Sequence, residues 1–170
     1  MNIINIRKNI FETNSSSSHS ISLSEDANLS CRLPESNGVI EIECREFGWE
    51  EVTYNDAETK LSYLITYIFS SIDAGEKADK LKKEKADIEE WIKLIPDIKR
   101  NYLEKLSALI RDHTGSELVV VPVYYDFYPF GYIDHQSIGE AYDILCAGDD
   151  VIVNFIFNPG SRLNTDNDNH

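Results

Sequence analysis

The spacing of apolar residues switches twice along this chain, and the switches restrict the architectures that it can adopt. At residues 19–23 and 39–44 apolar and polar residues alternate, as is typical of half-buried strands. Between about 56 and 113 the apolar residues recur at helical spacing, and strand-like apolar runs return at 117–125 and 151–157. We therefore predict one α+β domain over residues 1–170, with a mixed β-sheet and a helical hairpin inserted between the N- and C-terminal strands at about 56–113.

Capping and breaking residues set the expected limits of the helices. Asp56 can cap the first helix, since a carboxylate there accepts hydrogen bonds from free amides. A second helix is expected from about 79 to 94. Pro96 then separates it from a third helix that runs to Arg111, because proline fits the first turn of a helix but not its interior.

The C-terminal part of the chain carries the clearest strand pattern. Residues 151–157 are apolar except for one Asn, and we predict a strand there. Turns are expected on either side, at 148–150 and 158–161, where Gly, Asp, Asn and Pro cluster. Residues 164–170 are predicted to be a loose polar tail.

The charge balance limits the partners of this chain. It has 16 Lys and Arg against 30 Asp and Glu, for a net charge of −14. This excess opposes direct binding to nucleic acid and to anionic membranes, and fits partners that are basic or neutral. The three cysteines include no C-x-x-C pair, so we expect reduced thiols in a cytoplasmic protein, with no disulfide and no thiolate metal site. No apolar run approaches 18 residues, so no membrane-spanning segment is expected, and no cofactor is predicted.

The helical middle differs in charge from the rest of the chain. Residues 76–105 hold nine basic and eight acidic residues, so this segment carries +1 and the remainder −15. Interleaved charges of this kind are typical of a solvated helix face, and a partner-binding arm is the alternative.

A run of polar residues near the start is the first candidate site. It contains, in order, Glu12, Thr13, Asn14, Ser15, Ser16, Ser17, Ser18, His19 and Ser20. Hydroxyl and amide side chains favour a tight loop, and such a loop can offer hydrogen-bond donors to an anion. His19 can change charge near neutral pH, and Glu12 can orient it or act as a base. A plain surface loop is the alternative interpretation.

A second polar cluster combines the same chemical groups. It consists of Asp134, His135, Gln136 and Ser137, before a helix predicted at 137–145. Ser137 and Glu140 have the spacing of a capping box, so an N-cap with an exposed histidine is the alternative here. An acid, an imidazole and hydrogen-bond donors at a helix start could also hold an anion.

Several stretches together resemble a known protein family. They are residues 11–20, 47–49, 132–137, 155–158 and 165–169. On these motifs the chain is similar to an uncharacterised family of small proteins from bacteriophages and mobile elements of low-GC Gram-positive bacteria. The resemblance implies a setting of host takeover or defence evasion, and it raises the expectation that the two polar clusters converge.

Three hypotheses for function follow. The first is a phage or prophage accessory protein that binds a host protein, for example a nucleic-acid-binding defence protein, in an anti-CRISPR-like, anti-defence role. The second is an enzyme or binding protein for a phosphate-bearing nucleotide. In it, residues 13–18 with Gln136 and Ser137 hold the ligand, and His19, His135, Glu12 and Asp134 are catalytic. The third, a metal site built on both histidines, needs further ligands from elsewhere in the chain.

Overall fold

The strands and helices alternate much as the apolar pattern predicts. The computed structural model describes residues 3–5, 20–48, 51–72, 75–125, 130–133 and 138–165. Its elements are β1 Ile3–Asn5, β2 Ser20–Ser24, β3 Val39–Glu43, β4 Glu46–Phe47, β5 Val52–Tyr54, α1 Ala57–Phe69, α2 Glu76–Glu84, α3 Ile88–Ile92, α4 Asp97–Thr114, β6 Glu117–Val121, β7 Tyr132–Ile133, α5 Ile138–Cys146, α6 Asp149–Phe157 and β8 Arg162–Thr165. The α+β class is confirmed, and α1–α4 fall between strands as the predicted insertion requires. Among the described helices, none is long and apolar enough to cross a bilayer.

The chain divides into two compact units. Unit 1 comprises Met1–Leu33, Phe47–Leu61 and Ile133–His170, and unit 2 comprises Pro34–Glu46 and Ser62–Tyr132. The division falls within α1, which contributes its first residues to unit 1 and the rest to unit 2.

Unit 1 contains a four-stranded antiparallel sheet in the order β1-β2-β8-β5. The last strand in sequence, β8, lies inside this sheet, so Leu163 pairs with Ile21 on one side and with Tyr54 on the other. Leu163 and Ile21 are buried in the core of the unit. Residues 164 and 165, predicted as part of a loose tail, therefore belong to a strand, because both neighbouring strands satisfy their backbone groups.

Unit 2 contains a parallel pair of strands, β3 and β6. The pairing aligns Val39 with Glu117 and Ile42 with Val120, and Ile42 and Val120 face the core. Helix α4 packs on β6 and leads into it through Gly115, whose left-handed φ of 78° ends the helix. Helix and strand thus bury one face of the parallel pair.

Helix α1 forms as its sequence predicts. The Oδ1 atom of Asp56 accepts a hydrogen bond of 2.7 Å from the Thr59 amide, which confirms the predicted cap. The apolar stripe that the helical spacing predicts is buried, and its last residue lies beyond the end of α1; it consists of Leu61, Leu64, Ile65, Ile68 and Ile72.

The strand predicted at 151–157 is wrong, because this segment is helix α6. The Gly148 carbonyl accepts hydrogen bonds from the Val151 and Ile152 amides, and two aspartates occupy the first turn, where they favour a helix start. An apolar run without clear alternation fits either period, and here packing outweighs the strand preference of its β-branched residues. The helix buries Ile152, Phe155, Ile156 and Phe157.

The helix predicted at 79–94 is two helices rather than one. Helix α2 ends before Lys85, which adopts a left-handed φ of 49°, and its amide together with that of Ala86 closes the last turn. Helix α3 follows and buries Trp91 between the rings of Tyr124 and Phe130. A lysine is an unusual residue for this left-handed position, so nothing in the sequence marks the break.

Candidate functional site

The residues predicted to form a site all lie outside the described part of the chain. They are Glu12, Thr13, Asn14, Ser15, Ser16, Ser17, Ser18, His19, Asp134, His135, Gln136 and Ser137. Their roles and the predicted convergence of the two clusters stay predictions. The chain segments that continue from the clusters are described, however, and they meet.

Strand β2 and helix α5 form the walls of a narrow pocket in unit 1. Strand β2 continues from the first polar cluster and contributes Ile21, while α5 continues from the second and contributes Glu140, Asp143 and Ile144. These three helical residues lie on one face because they are spaced at i, i+3 and i+4. Ile21 and Ile144 are both buried, so the lining of this crevice is mainly apolar, and the crevice is too narrow to hold a water molecule.

The Glu140 side chain is the unusual group of this pocket. Its Oε2 atom exposes less than 1 Å² and has no hydrogen-bond partner among the described residues. Burial, and secondly the nearby negative charge of Asp143, raise the pKa of Glu140 to about 8. At neutral pH this carboxyl is therefore mostly protonated.

The sequence interpretation assigned Glu140 only a capping role. Its spacing from Asp143 on a helix whose other residues are apolar is the signal that could have drawn attention to it. The apolar wall from Ile21 was not readable, because it comes from a strand 119 positions away in the sequence.

Lys60 is a second ionisable group of unit 1 with a shifted pKa, and its ammonium group has hydrogen-bond acceptors. Its side chain is fully buried, and Nζ donates to the carbonyl oxygens of Asn158 (2.8 Å) and Ser161 (3.2 Å). Burial lowers the pKa of Lys60 to about 8, partly offset by the charges of Cys31 and Asp56. The ammonium group ties α1 to the turn that follows α6.

A network of buried polar side chains extends from this lysine. The Asn158 amide donates to both the carbonyl and the carboxylate oxygen of Asp26 (2.8 and 2.9 Å), and its own oxygen accepts from the Gly160 amide. The Ser161 hydroxyl donates to the Asn154 side chain at 2.6 Å and accepts from the Ser24 amide at 3.0 Å. Each of these groups has a partner, so the network is architectural.

Unit 2 contains a further lysine with a lowered pKa. Burial lowers the pKa of Lys99 to about 7, while Nζ donates to the Tyr67 carbonyl at 2.9 Å and lies over the ring of the same residue. Burial also raises the pKa of the Cys44 thiol to about 12, which leaves no reactive thiolate at neutral pH.

The exposed face of the parallel pair in unit 2 is acidic. Glu41 and Glu43 on β3 and Glu117 on β6 share this face with the partly exposed Val119. None of the three glutamates is in an ion pair such as those of Lys80–Glu84, Lys93–Glu90 and Arg100–Asp97 within the described residues. Within the same residues, no three His, Cys, Asp or Glu side chains come together as a metal site.

Comparison of the chain with protein-family models, curated proteins and solved structures finds no match. Function must therefore be inferred from the chemistry of the Glu140 crevice in unit 1 and of the acidic face in unit 2.

Proposed function

We propose that this protein is a binding protein whose partner presents a basic protein surface. In the phage or prophage setting that the sequence resemblance implies, the partner is a host protein of the cytoplasm, and a nucleic-acid-binding defence protein is the most specific form of this proposal. The observation that supports it is the row of unpaired carboxylates on the exposed face of β3 and β6.

The geometry of that face suits recognition of positive charge. Alternate residues of a parallel strand are about 7 Å apart, and neighbouring strands are about 5 Å apart. Glu41 therefore lies about 7 Å from Glu43 and about 8 Å from Glu117, close to the screening length at physiological salt, whereas Glu43 and Glu117 are about 14 Å apart. Exposed carboxylates that share one face are a feature that a nucleic-acid mimic needs.

The rest of the chain supports a basic partner over an acidic one. A net charge of −14 repels nucleic acid and anionic lipid, and it accelerates encounter with a positively charged protein. Val119, which pairs with Glu41 on this face, adds an apolar contact beside the carboxylates.

The experiment neutralises the acidic face and measures the affinity of the partner for the altered protein. The partner is first isolated from a lysate of a low-GC Gram-positive bacterium and identified, and its affinity for the purified protein is then measured by calorimetry at two salt concentrations. The triple variant Glu41→Gln, Glu43→Gln, Glu117→Gln should bind about tenfold or more weakly at low salt, because it loses three favourable charges at the contact.

A variant with the same change in net charge provides the control. Glu76→Gln, Asp79→Asn and Glu89→Gln remove three exposed carboxylates from α2 and α3. This variant should retain affinity within about twofold, since only long-range attraction changes. The proposal fails if no partner binds at micromolar concentration, or if both triple variants lose affinity equally.

A second function, an enzyme or binding protein for a phosphate-bearing nucleotide, is favoured by a different observation. Ile21 and Glu140 follow closely after the two predicted polar clusters in sequence, and they line the same pocket. We propose for this case that the serine-rich stretch holds phosphate and that a histidine transfers a proton.

The test of this second function replaces the two histidines. The double variant His19→Ala, His135→Ala should abolish turnover of a nucleotide substrate found in a panel of nucleoside phosphates, while its melting temperature changes little. Unchanged turnover in the folded variant would remove both histidines from the mechanism. Absence of any bound or converted nucleotide from the panel would remove the function itself.

A further inference from the structure

We propose that the partner of this protein contributes an extended basic segment, which adds a strand to the edge of β6 that lies opposite β3. This inference rests on the proposed function, because it assumes a basic protein partner, and it specifies the form in which that partner binds. The sheet that carries the acidic face has two strands among the described residues, β3 and β6. An unpaired strand edge of this kind is a template for a further strand.

The pairing of β3 with β6 shows which backbone groups of β6 face the unpaired edge. The Glu117 amide donates to the Gly38 carbonyl at 2.9 Å, and the parallel register continues from there along both strands. Successive residues of a strand direct their amide and carbonyl groups to opposite sides, so those of Leu118 and Val120 point away from β3. Neither residue has a backbone hydrogen-bond partner on that side among the described residues. These amides and carbonyls can therefore bond to an added strand.

The residues along this edge indicate that it faces solvent. Leu118 is partly exposed and Val119 is exposed, although both belong to an apolar run. Pro122 follows β6 at the next position whose amide would point away from β3, and proline in sheets is confined largely to positions of this kind. Because proline has no amide to donate, it also ends the row of donors. The added strand is therefore no longer than the five residues of β6.

The charge beside the edge selects a basic segment. Glu117 projects from β6 onto the exposed face of the sheet, and Glu41 projects onto the same face from β3. An added strand lies about 5 Å from β6, so its side chains on this face come within reach of the Glu117 carboxylate. Lysine or arginine at those positions is attracted by the glutamates, whereas an acidic residue directly beside Glu117 is repelled.

The opposite face of the added strand continues the apolar side of the sheet. Leu118 and Val120 are half-buried and buried on this side, and side chains alternate between the two faces of a strand. The segment that fits therefore alternates lysine or arginine with apolar residues. A second copy of this chain fits poorly, because its β6 would bring another Glu117 to the edge and each copy carries a net charge of −14.

The first test is amide hydrogen exchange, measured by NMR on the full chain with a capped peptide of alternating lysine and valine as the probe. In the free protein, the amides of Leu118 and Val120 should exchange at least about tenfold faster than those of Val119 and Val121, which face β3. Saturating peptide should slow exchange at Leu118 and Val120 by about tenfold or more and leave Val119 little changed. The same peptide with glutamate in place of lysine should give no protection.

Two substitutions at one position then test the edge by affinity. Leu118→Pro removes a donor that faces the edge and leaves the bonds to β3 in place, so the variant should fold. Its affinity for the lysine–valine peptide, measured by calorimetry, should fall about tenfold or more. Leu118→Val keeps the amide and an apolar side chain, and its affinity should stay within about twofold. If the proline variant does not fold, hydrogen exchange on the wild-type chain decides alone.

Three results would overturn the proposal. The first is protection of the Leu118 and Val120 amides in the free protein, since the chain would then cover its own edge. The second is binding of the peptide without new protection at these amides, and the third is no binding at millimolar peptide.

These outcomes are distinct from failure of the proposed function. A partner that the triple glutamine variant binds more weakly, but that leaves exchange at Leu118 and Val120 unchanged, retains the acidic face as the site and removes only the added strand. Protection of these amides by the peptide, together with unchanged affinity of the triple variant for the partner, retains the edge and removes the acidic face.

Discussion

Lys60 and Glu140 are buried ionisable groups of the same compact unit, and they differ in what surrounds them. The ammonium group of Lys60 has two carbonyl acceptors, whereas the Oε2 atom of Glu140 has no partner among the described residues. Burial moves both pKa values to about 8, one downward and the other upward. The shift in pKa is therefore of similar size in the two groups, and what differs between them is the completeness of their hydrogen bonding.

The largest expected effect comes from removing the structural group. Lys60→Met leaves the Ser161 carbonyl without its ammonium donor and reduces the bonding of the Asn158 carbonyl, which retains the Ser161 amide. We expect a loss of about 1–3 kcal/mol in the free energy of unfolding at pH 7, measured by urea denaturation. A variant as stable as the wild type would show that the carbonyls do not need the ammonium group and would remove the contrast with Glu140.

The second expected effect is on the pH dependence of stability, to which Glu140 and Lys60 contribute with opposite signs. Because the folded pKa of Glu140 lies above its ordinary value of 4.5, the folded state binds more protons and stability falls as pH rises from about 4.5 to 8. Because the folded pKa of Lys60 lies below 10.5, the unfolded state binds more protons between about 8 and 10.5, so stability rises there. The two contributions together have a minimum near pH 8.

Variants identify which group produces each limb of this curve. Glu140→Gln should remove the fall and should be more stable than the wild type at pH 9 by about 1 kcal/mol or more, after allowance for solvent screening. Lys60→Met should reduce the rise above pH 8, to which Lys99 also contributes, and leave the fall intact. Urea denaturation of wild type and variants at a series of pH values measures both, and an unchanged slope in Glu140→Gln would show that another group binds the proton.

The smallest expected effect on stability comes from Asp26, at the exposed edge of the polar network. Hydrogen bonds from the Asn158 amide and from the backbone amide of Asn28 lower the pKa of the exposed Asp26 carboxylate. Its contribution to stability is therefore present above its ordinary pKa and is lost as pH falls through the lowered value. Asp26→Asn should change the melting temperature only slightly at pH 7 and should flatten the curve below pH 4, whereas a large loss at pH 7 would make Asp26 part of the essential network.

The sequence alone determined the elements whose signals are local. The cap at Asp56 and the apolar stripe of α1 were readable because a helix repeats every 3.6 residues and its cap lies beside its first turn. The excess of negative charge and the alternation in β3 were equally readable, and they led to the proposal of a basic partner.

The tertiary structure decided the features that depend on distant partners. Residues 151–157 fit a strand or a helix by pattern, and packing against the core of unit 1 made them helical. Lys60 reads as an ordinary helix residue until the turn after α6 covers it, and Glu140 reads as a capping residue until Ile21 encloses it. Burial and hydrogen bonding depend on contacts between residues about a hundred positions apart, and no local pattern encodes such contacts.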